Sequence, residues 1–412
     1  MSYSHSIPIE AAPAELAVSA DGVAVNPGAP GVSARHRVLF VVESGTDVRL
    51  VEGLEEISSL VILARKIEHG REISQLPSVP VQMTVGPSSR PRFAELVFRT
   101  LIAKRHEYDL CIVQGYGLAA LAANSAAKLT GKPTVMFVCS ATEEYYRCRA
   151  AAFDGENPYR RFEHSILRTL ARLNARSGGR YVVLSRHLES VVRSHGARGE
   201  VCVVPAYGVD VDVFKPSTTP KSVLKTQLGL PTNGTIIFSS SRVAPEKDTT
   251  TLLAALAELL KSNRDVWLLC LTGRHEQFLE LANQFNVAHR VIVGDAVHPT
   301  KMLATYYQAS DLCVQVSRSE GLGFSPLEAL ACGTPVVATA VGGLKETIID
   351  GVTGWSHELG NPQDLAAKIA EVIDDPEESS RRAANGRTMV CRDYERGTVF
   401  RQLSERIDAL VG

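Results

Sequence analysis

Ser317-Arg318-Ser319-Glu320-Gly321-Leu322-Gly323-Phe324-Ser325-Pro326-Leu327-Glu328-Ala329-Leu330-Ala331-Cys332-Gly333-Thr334-Pro335-Val336-Val337-Ala338 is the stretch from which the rest of the chain is read. The apolar run Leu312 to Val316 before it ends in a glycine-bearing turn. A short helix is expected to open at Ser325-Pro326, and a second apolar run follows at Pro335, so the unit is strand, loop, helix, strand. Serine is a favoured N-cap and proline suits the first helical position. Gly333 and Pro335 close the helix. Such a helix start aims unpaired N–H groups and the positive end of its dipole at whatever lies in front, and the two glycines admit an anion close to the backbone. Glu320 and Glu328 bracket the loop, so both carboxylates can face one cleft, which suits hydroxyl recognition beside a phosphate, as in a nucleotide sugar. A plainer reading competes. Ser325-x-x-Glu328 is also a capping box, in which the glutamate only holds the N-cap amide, and on spacing alone the cap is favoured.

The segment, with its two glutamates and the run Ala-Leu-Ala-Cys-Gly-Thr-Pro-Val-Val-Ala-Thr that follows, resembles the signature of the retaining glycosyltransferases of family 4, which have the two-domain GT-B fold. The resemblance implies that Glu328 hydrogen-bonds the donor's ribose and Glu320 contacts its sugar ring. It also implies that the backbone of Gly321, Leu322, Gly323, Phe324 and Ser325 faces the donor's sugar and phosphates.

A chain of 412 residues suits two domains rather than one core. Its 45% apolar and 22% charged residues are those of a globular protein, and a formal charge of -1 gives no global pull toward nucleic acid or an anionic membrane. The eight cysteines are scattered with no Cys-x-x-Cys pair, so they read as thiols of a reducing cytosol and not as a zinc site. No apolar run reaches the roughly 18 residues that span a bilayer. Residues 1–35 are rich in Ala, Pro, Ser and Gly, lack the pattern of a secretory signal and are expected to form a disordered tail.

In the first half, His36 to Val42 reads as a buried strand of a parallel sheet ending in Glu43-Ser44-Gly45-Thr46-Asp47, with a helical pattern from about Val48 to Ile67. A strand feeding a glycine loop and a helix is the phosphate-side crevice of an open α/β sheet. The three-glycine dinucleotide fingerprint is absent. In the resembled family this loop lies near the donor's phosphates, which assigns Gly45 to donor binding. Further strands are expected at 81–85, 110–114, 134–139, 181–184 and 201–204, with helices between them at about 91–105, 117–129, 159–175 and 186–195. The family's usual histidine over the donor sugar falls on Cys139 or Ser140. Eight arginines (147, 149, 160, 161, 168, 172, 176 and 180) stand against three acids between 147 and 180. Arg161, Arg168, Arg172 and Arg176 fall near one helical face, with Phe162, Ile166, Leu170 and Leu173 on another. A solvated basic face is the plain reading, and attraction to anionic lipid headgroups or a polyprenyl-diphosphate acceptor the functional one.

In the second half, Val203 to Pro216 resembles the family's exit from the first domain, with Tyr207 where the family usually has asparagine. Its Asp210-x-Asp212 pair reads as structural. Thr235 to Lys247 then delivers a strand end to a loop carrying Arg242 and Lys247. A departing nucleoside diphosphate gains negative charge, and fixed cations aimed at it favour departure. The same loop resembles the family's Gly-Arg and Glu-Lys elements, with Ser241 replacing the glycine, so Arg242 and Lys247 carry over as diphosphate ligands. Val291 to Val297 resembles the strand end near the nucleotide base.

These readings give an α/β chain of GT-B class, with two doubly wound Rossmann-like domains facing across a cleft. The expected divisions are an acceptor-side domain at 36–216, a nucleotide-sugar domain at 217–395, and a last helix, 396–412, crossing back onto the first. The expected function is a retaining, metal-independent transfer of a sugar from a UDP- or GDP-sugar, without cofactor, to the hydroxyl of a glycan, lipid-linked or small-molecule acceptor in bacterial polysaccharide or glycoconjugate synthesis. Arg242, Lys247 and Glu320 are its catalytic residues. The expected location is cytoplasmic, with peripheral contact at the inner membrane face through residues 147–180, and no nucleic-acid partner. A non-catalytic sugar-nucleotide-binding protein and a nonhydrolysing sugar-nucleotide epimerase are the alternatives.

Overall fold

The computed structural model describes residues 35–67, 81–152, 159–295 and 300–411. Two parallel sheets carry the architecture. The first holds β1 (Arg37–Val42), β2 (Ser59–Arg65), β3 (Gln82–Gly86), β4 (Leu110–Gln114), β5 (Thr134–Val138), β6 (Arg180–Val183) and β7 (Glu200–Val203) in the order β3-β2-β1-β4-β5-β6-β7. The second holds β8 (Thr235–Ser239), β9 (Val266–Leu271), β10 (Val291–Gly294), β11 (Leu312–Gln315), β12 (Val336–Thr339) and β13 (Trp355–His357) in the order β10-β9-β8-β11-β12-β13. In each sheet the chain first runs outward to one side and then restarts on the other. The restart opens a crevice between β1 and β4 and between β8 and β11, where strand C-termini diverge and ligands bind in this class of sheet.

Strand composition explains these positions. Val38 to Val42 and Leu312 to Val314 are at most 5% exposed, because a parallel strand is covered on both faces and an unbroken apolar run is the sequence that tolerates it. Val38 pairs with both Leu60 and Leu110, which places β1 in the middle of its sheet. In the first half the connecting helices are α1 (Val48–Ile57), α2 (Arg90–Ala103), α3 (Leu118–Thr130), α4 (Thr142–Ala152), α5 (Tyr159–Ser177) and α6 (Arg186–Ser194). In the second they are α7 (Lys221–Gln227), α8 (Thr249–Lys261), α9 (His275–Gln284), α10 (Thr300–Ala309), α11 (Phe324–Ala331), α12 (Leu344–Thr347), α13 (Pro362–Asp374) and α14 (Pro376–Met389). The final helix, α15 (Arg396–Val411), lies against α1, where Arg396 forms a two-pronged ion pair with Glu56 at 2.8 and 2.9 Å.

Three sequence expectations are corrected here. The helix expected from Val48 to Ile67 stops at Ile57 and gives way to β2, because Leu60 to Ala64 is an uninterrupted apolar run that fills a sheet position beside β1. The signature helix does not start at Ser325 with serine as its cap. It starts at Phe324, and Gly323 at φ 91° takes the cap position, a backbone region in which glycine avoids the Cβ clash. On α5, Ile166 and Leu173 are exposed (57% and 41%) beside Arg168, Arg172 and Arg176, while Ala171, Asn174 and Ala175 face the core. The smaller residues win the inner face because Asn174 donates to the carbonyls of Tyr116 and Gly117 and draws the helix close to the strand ends. The expected tail (residues 1–34 of it), the side chains of Arg149, Arg160, Arg161 and Phe162, and Ala296-Val297 lie outside the described residues.

Candidate active site

The two crevices face each other, and the β11–α11 loop stands between them. Gly321 is a point of close approach to the first half. A Cβ there would lie 2.5 Å from the carbonyl oxygen of Cys139 at the end of β5, and the Gly321 carbonyl itself accepts a 2.6 Å hydrogen bond from Ser185 Oγ. Ser185 also caps α6, accepting from Leu188 N. Ser319 Oγ donates to Glu144 on α4 at 2.9 Å.

Lys247 and Glu320 are brought together: Nζ donates to Oε2 at 2.5 Å, with both side chains about one-fifth exposed. Glu320 accepts a second, longer bond from Ser317 Oγ at 3.3 Å. The ammonium and carboxylate are therefore mutually neutralised at the mouth of the crevice, and a diphosphate and a sugar hydroxyl can each take over one partner. Arg242 is not joined to them. It turns along its own loop to Glu246, 2.6 Å away, which is 2% exposed and has one oxygen without a partner among the described residues.

Glu328 makes no cap. One of its oxygens accepts from Arg49 Nη1 at 2.6 Å and the other from Tyr307 Oη at 3.1 Å, so the capping box expected from the spacing does not form. Ser325, expected to close that box, shares its hydroxyl with Ser240 at 2.6 Å and Tyr307 at 2.8 Å. Burial pushes the Glu328 carboxyl up, while the Arg49 charge and the bonds from Arg49 and Tyr307 oppose the shift. Arg49 is held in turn by Asp47, through Nη2 at 2.9 Å and Nε at 3.0 Å. Its guanidinium lies 4.2 Å from the centre of the Tyr207 ring, which stacks on Phe324 at 4.0 Å. Burial raises Asp47 too, but the Arg49 bonds outweigh it and leave that carboxyl below its ordinary value.

Gly45 sits on the β1–α1 loop with open space where a Cβ would project, and its carbonyl accepts from Gln114 at 3.4 Å. Leu322 is buried and anchors the loop by packing. Cys139 is one of the two positions, with Ser140, on which the resembled family's histidine is expected to fall. Burial pushes its thiol up to about 12, so it stays protonated at neutral pH and offers neither a base nor a thiolate. Asp210 uses its carboxylate on the backbone N–H groups of Asp212 and Val213, a turn function that fits its structural reading.

Sequence reasoning missed Arg49, Tyr307, Ser240 and Asp47. Arg49 carried a usable signal, a cation in the first turn of the helix that follows the Gly45 loop. Tyr307 carried none, since a tyrosine within an apolar helix reads as core.

Two family profiles match in tandem. "Glycosyl transferase 4-like domain" covers residues 32–207, and "Glycosyl transferases group 1" covers 221–389. The chain carries the domain pair of a GT-B glycosyltransferase. The D-inositol 3-phosphate glycosyltransferase of Xylanimonas cellulosilytica is 36% identical over 207 residues, 48% of this chain and 49% of that one. The enzyme of the same name from Nocardiopsis dassonvillei is 31% identical over 65% of this chain and 63% of its own. The chain thus spans about half the length of the curated relatives it matches. Among solved structures, sucrose-phosphate synthase of Thermosynechococcus elongatus superposes with a TM-score of 0.75 at 22% identity, over 91% of this chain and 99% of that one. Anabaena HepE, solved in complex with UDP and glucose, gives 0.72 at 21% identity, over 91% and 100%. At such identities the likeness shows a shared GT-B fold.

Proposed function

We propose that the protein is a retaining, metal-independent glycosyltransferase that moves a sugar from a nucleoside-diphosphate sugar to an acceptor hydroxyl in glycoconjugate or polysaccharide synthesis. The observation that carries this reading is the Lys247–Glu320 pair at the front of α11, an exchangeable cation beside an exchangeable carboxylate at the strand switch of the second sheet. Lys247 takes the leaving diphosphate, Glu320 a hydroxyl of the donor sugar, and Glu328 the ribose, with Arg242 swinging from Glu246 to the phosphates. The backbone of Gly321 to Ser325 and the Gly45 loop close on the donor. The acceptor oxygen bonds the anomeric carbon as the bond from that carbon to the phosphate oxygen breaks. The electron pair leaves with the diphosphate, which takes the hydroxyl proton. Positioning and charge stabilisation supply the rate, with no protein nucleophile.

Thermal shift against UDP-, GDP- and ADP-sugars tests the donor, since a ligand at about 100 times its Kd stabilises by about 2.7 kcal/mol. Lys247→Ala is expected to lower turnover at least a hundredfold, about 2.7 kcal/mol of transition-state stabilisation, with little change in Tm. Near wild-type turnover in that variant would remove the site assignment. A donor that is epimerised with no acceptor present would favour the epimerase alternative instead.

Peripheral membrane contact forms part of the proposal. Among the described residues no helix is long and apolar enough to cross a bilayer, but α5 sets exposed Ile166 and Leu173 among three arginines. Each such cation is worth about 1 kcal/mol near an anionic surface. The protein is expected to float with anionic liposomes at low salt and to sink when Arg168, Arg172 and Arg176 are changed to Ala. Absence of flotation by the wild type ends the membrane assignment.

A further inference from the structure

Glu328 is closed off by its own partners. One oxygen accepts from Arg49 Nη1 at 2.6 Å, the other from Tyr307 Oη at 3.1 Å, and the side chain is 5% exposed. A sugar hydroxyl that donates to this carboxylate has to displace one of the two.

The partners differ in how firmly they are placed. Tyr307 belongs to the same half as Glu328, is fully buried, and shares its hydroxyl with Ser240 and Ser325. It stays with Glu328 in any movement of the halves. Arg49 comes from the other half, at the start of α1, and is partly exposed. It gives Glu328 a single N–H group and keeps Nε and Nη2 on Asp47, at 3.0 and 2.9 Å. Asp47 is fixed in turn as the N-cap of α1, accepting from Arg49 N. Losing Glu328 therefore strands no cation, because the guanidinium retains a two-pronged carboxylate in its own half. On the other side an incoming hydroxyl restores the bond that Arg49 takes away, so no buried oxygen is left bare. The cationic charge is not restored. A ligand that donates twice to one carboxylate, as a vicinal diol does, compensates best.

The contact also lies beside the segments that join the halves. The Arg49 guanidinium lies over the Tyr207 ring, which stacks on Phe324 of α11. Two residues further on, Val209 donates to the Tyr394 carbonyl at 2.7 Å and accepts from Arg396 N at 3.0 Å, so the two linking segments run together there. A shift of about 1 Å takes Nη1 out of hydrogen-bond range of Glu328, and no wide opening is needed.

We infer that Arg49 is a displaceable guard of Glu328, competing for that carboxylate with the vicinal hydroxyls of the donor's ribose, so that donor binding releases the two halves from each other at this point. Arg49 and Asp47 are then positioning residues that set donor affinity through Glu328. The inference rests on the ribose role proposed for Glu328.

The experiment is calorimetry on the full chain with UDP and GDP and with the 2′,3′-dideoxy analogue of each. The wild type is expected to bind the ribonucleotide about fivefold more tightly than its dideoxy analogue, the size of one net hydrogen bond. Arg49→Met removes the competitor and is expected to tighten ribonucleotide binding by a further factor of about five, with the dideoxy analogue moving less than twofold. Asp47→Asn weakens the retreat and is expected to act the other way, about threefold weaker for the ribonucleotide only, while the double variant Asp47→Asn, Arg49→Met matches Arg49→Met. A merely structural ion pair moves both single variants in the same direction or neither, and that result overturns the guard. Unchanged or weaker ribonucleotide binding by Arg49→Met, or an equal gain for the dideoxy analogue, overturns it too. Should Arg49→Met fail to fold, Asp47→Asn decides: selective weakening of the ribonucleotide supports the guard, and any other result sinks it. A wild type that does not distinguish ribonucleotide from dideoxy analogue removes the ribose role of Glu328 and the guard with it. A wild type that does distinguish them, with no gain in Arg49→Met, removes the guard alone.

Discussion

Glu328 shows what a single residue's neighbours add to its spacing. Ser325-x-x-Glu328 permits two roles, and the cap is excluded because Gly323 turns the chain one residue before the helix and the carboxylate goes to Arg49 and Tyr307. The pair is nearly dry, with 5% exposure for the Glu328 side chain and 25% for that of Arg49. Removing one member of a buried pair strands the other at a cost of about 3–5 kcal/mol. Glu328→Gln keeps the Tyr307 bond and loses only the charge, so about half that cost is expected, read as a lower midpoint in urea. Adding Arg49→Met should recover most of it, and the double-mutant cycle measures the coupling. Full stability in Glu328→Gln alone would show that the pair contributes nothing. The carboxylate's presence was legible in the sequence, but its partner was not, since Arg49 lies 279 residues away.

At the scale of elements, the strands were legible wherever an apolar run was bounded by turn residues. β2 was missed because Val48 to Ile67 keeps helical spacing for two turns before becoming continuously apolar, and periodicity alone cannot divide such a segment. The inner face of α5 was misread for a related reason: large apolar residues predict a buried face only where their partner element leaves room, and there the space is set by Asn174 bonding to the β4–α3 turn. The β11–α11 loop was located from its glycines, and the structure gives Gly321 a steric reason. Gly321→Ala places a methyl against the Cys139 carbonyl and forces the halves apart there. Gly45→Ala meets nothing. The expected outcome is loss of turnover by at least tenfold in Gly321→Ala with the secondary structure kept, and an unchanged Tm in Gly45→Ala with weaker donor binding only. A fully active Gly321→Ala would show that this approach is not needed for the reaction.

At the scale of the whole molecule, the two domains and their switch points follow from the order of strands and helices, but the way they hold each other does not. Glu346 of α12 accepts from the backbone N–H groups of Arg186 and His187 at 3.0 and 2.7 Å, so a carboxylate of one half satisfies the helix start of the other. α15 does the same by packing. Phe400 fills the space over Gly53 on α1, where a Cβ would fall within the aromatic ring. Phe400 is 3% exposed, and Arg396 braces the same helix through Glu56 and stacks its guanidinium 5.0 Å from the Phe400 ring centre. Gly53→Ala therefore either displaces α15 or distorts α1. Overpacking of this kind costs about 1–3 kcal/mol, against which the gain in helix propensity from Gly to Ala is at most about 1 kcal/mol. A lower Tm is expected, with a proteolytic cut before Arg396 becoming accessible, whereas the companion Phe400→Leu relieves the clash in the double variant and restores protection. A Gly53→Ala protein as stable and as resistant as the wild type would show that α15 is free to shift, and that the C-terminal helix does not fix the separation of the two crevices.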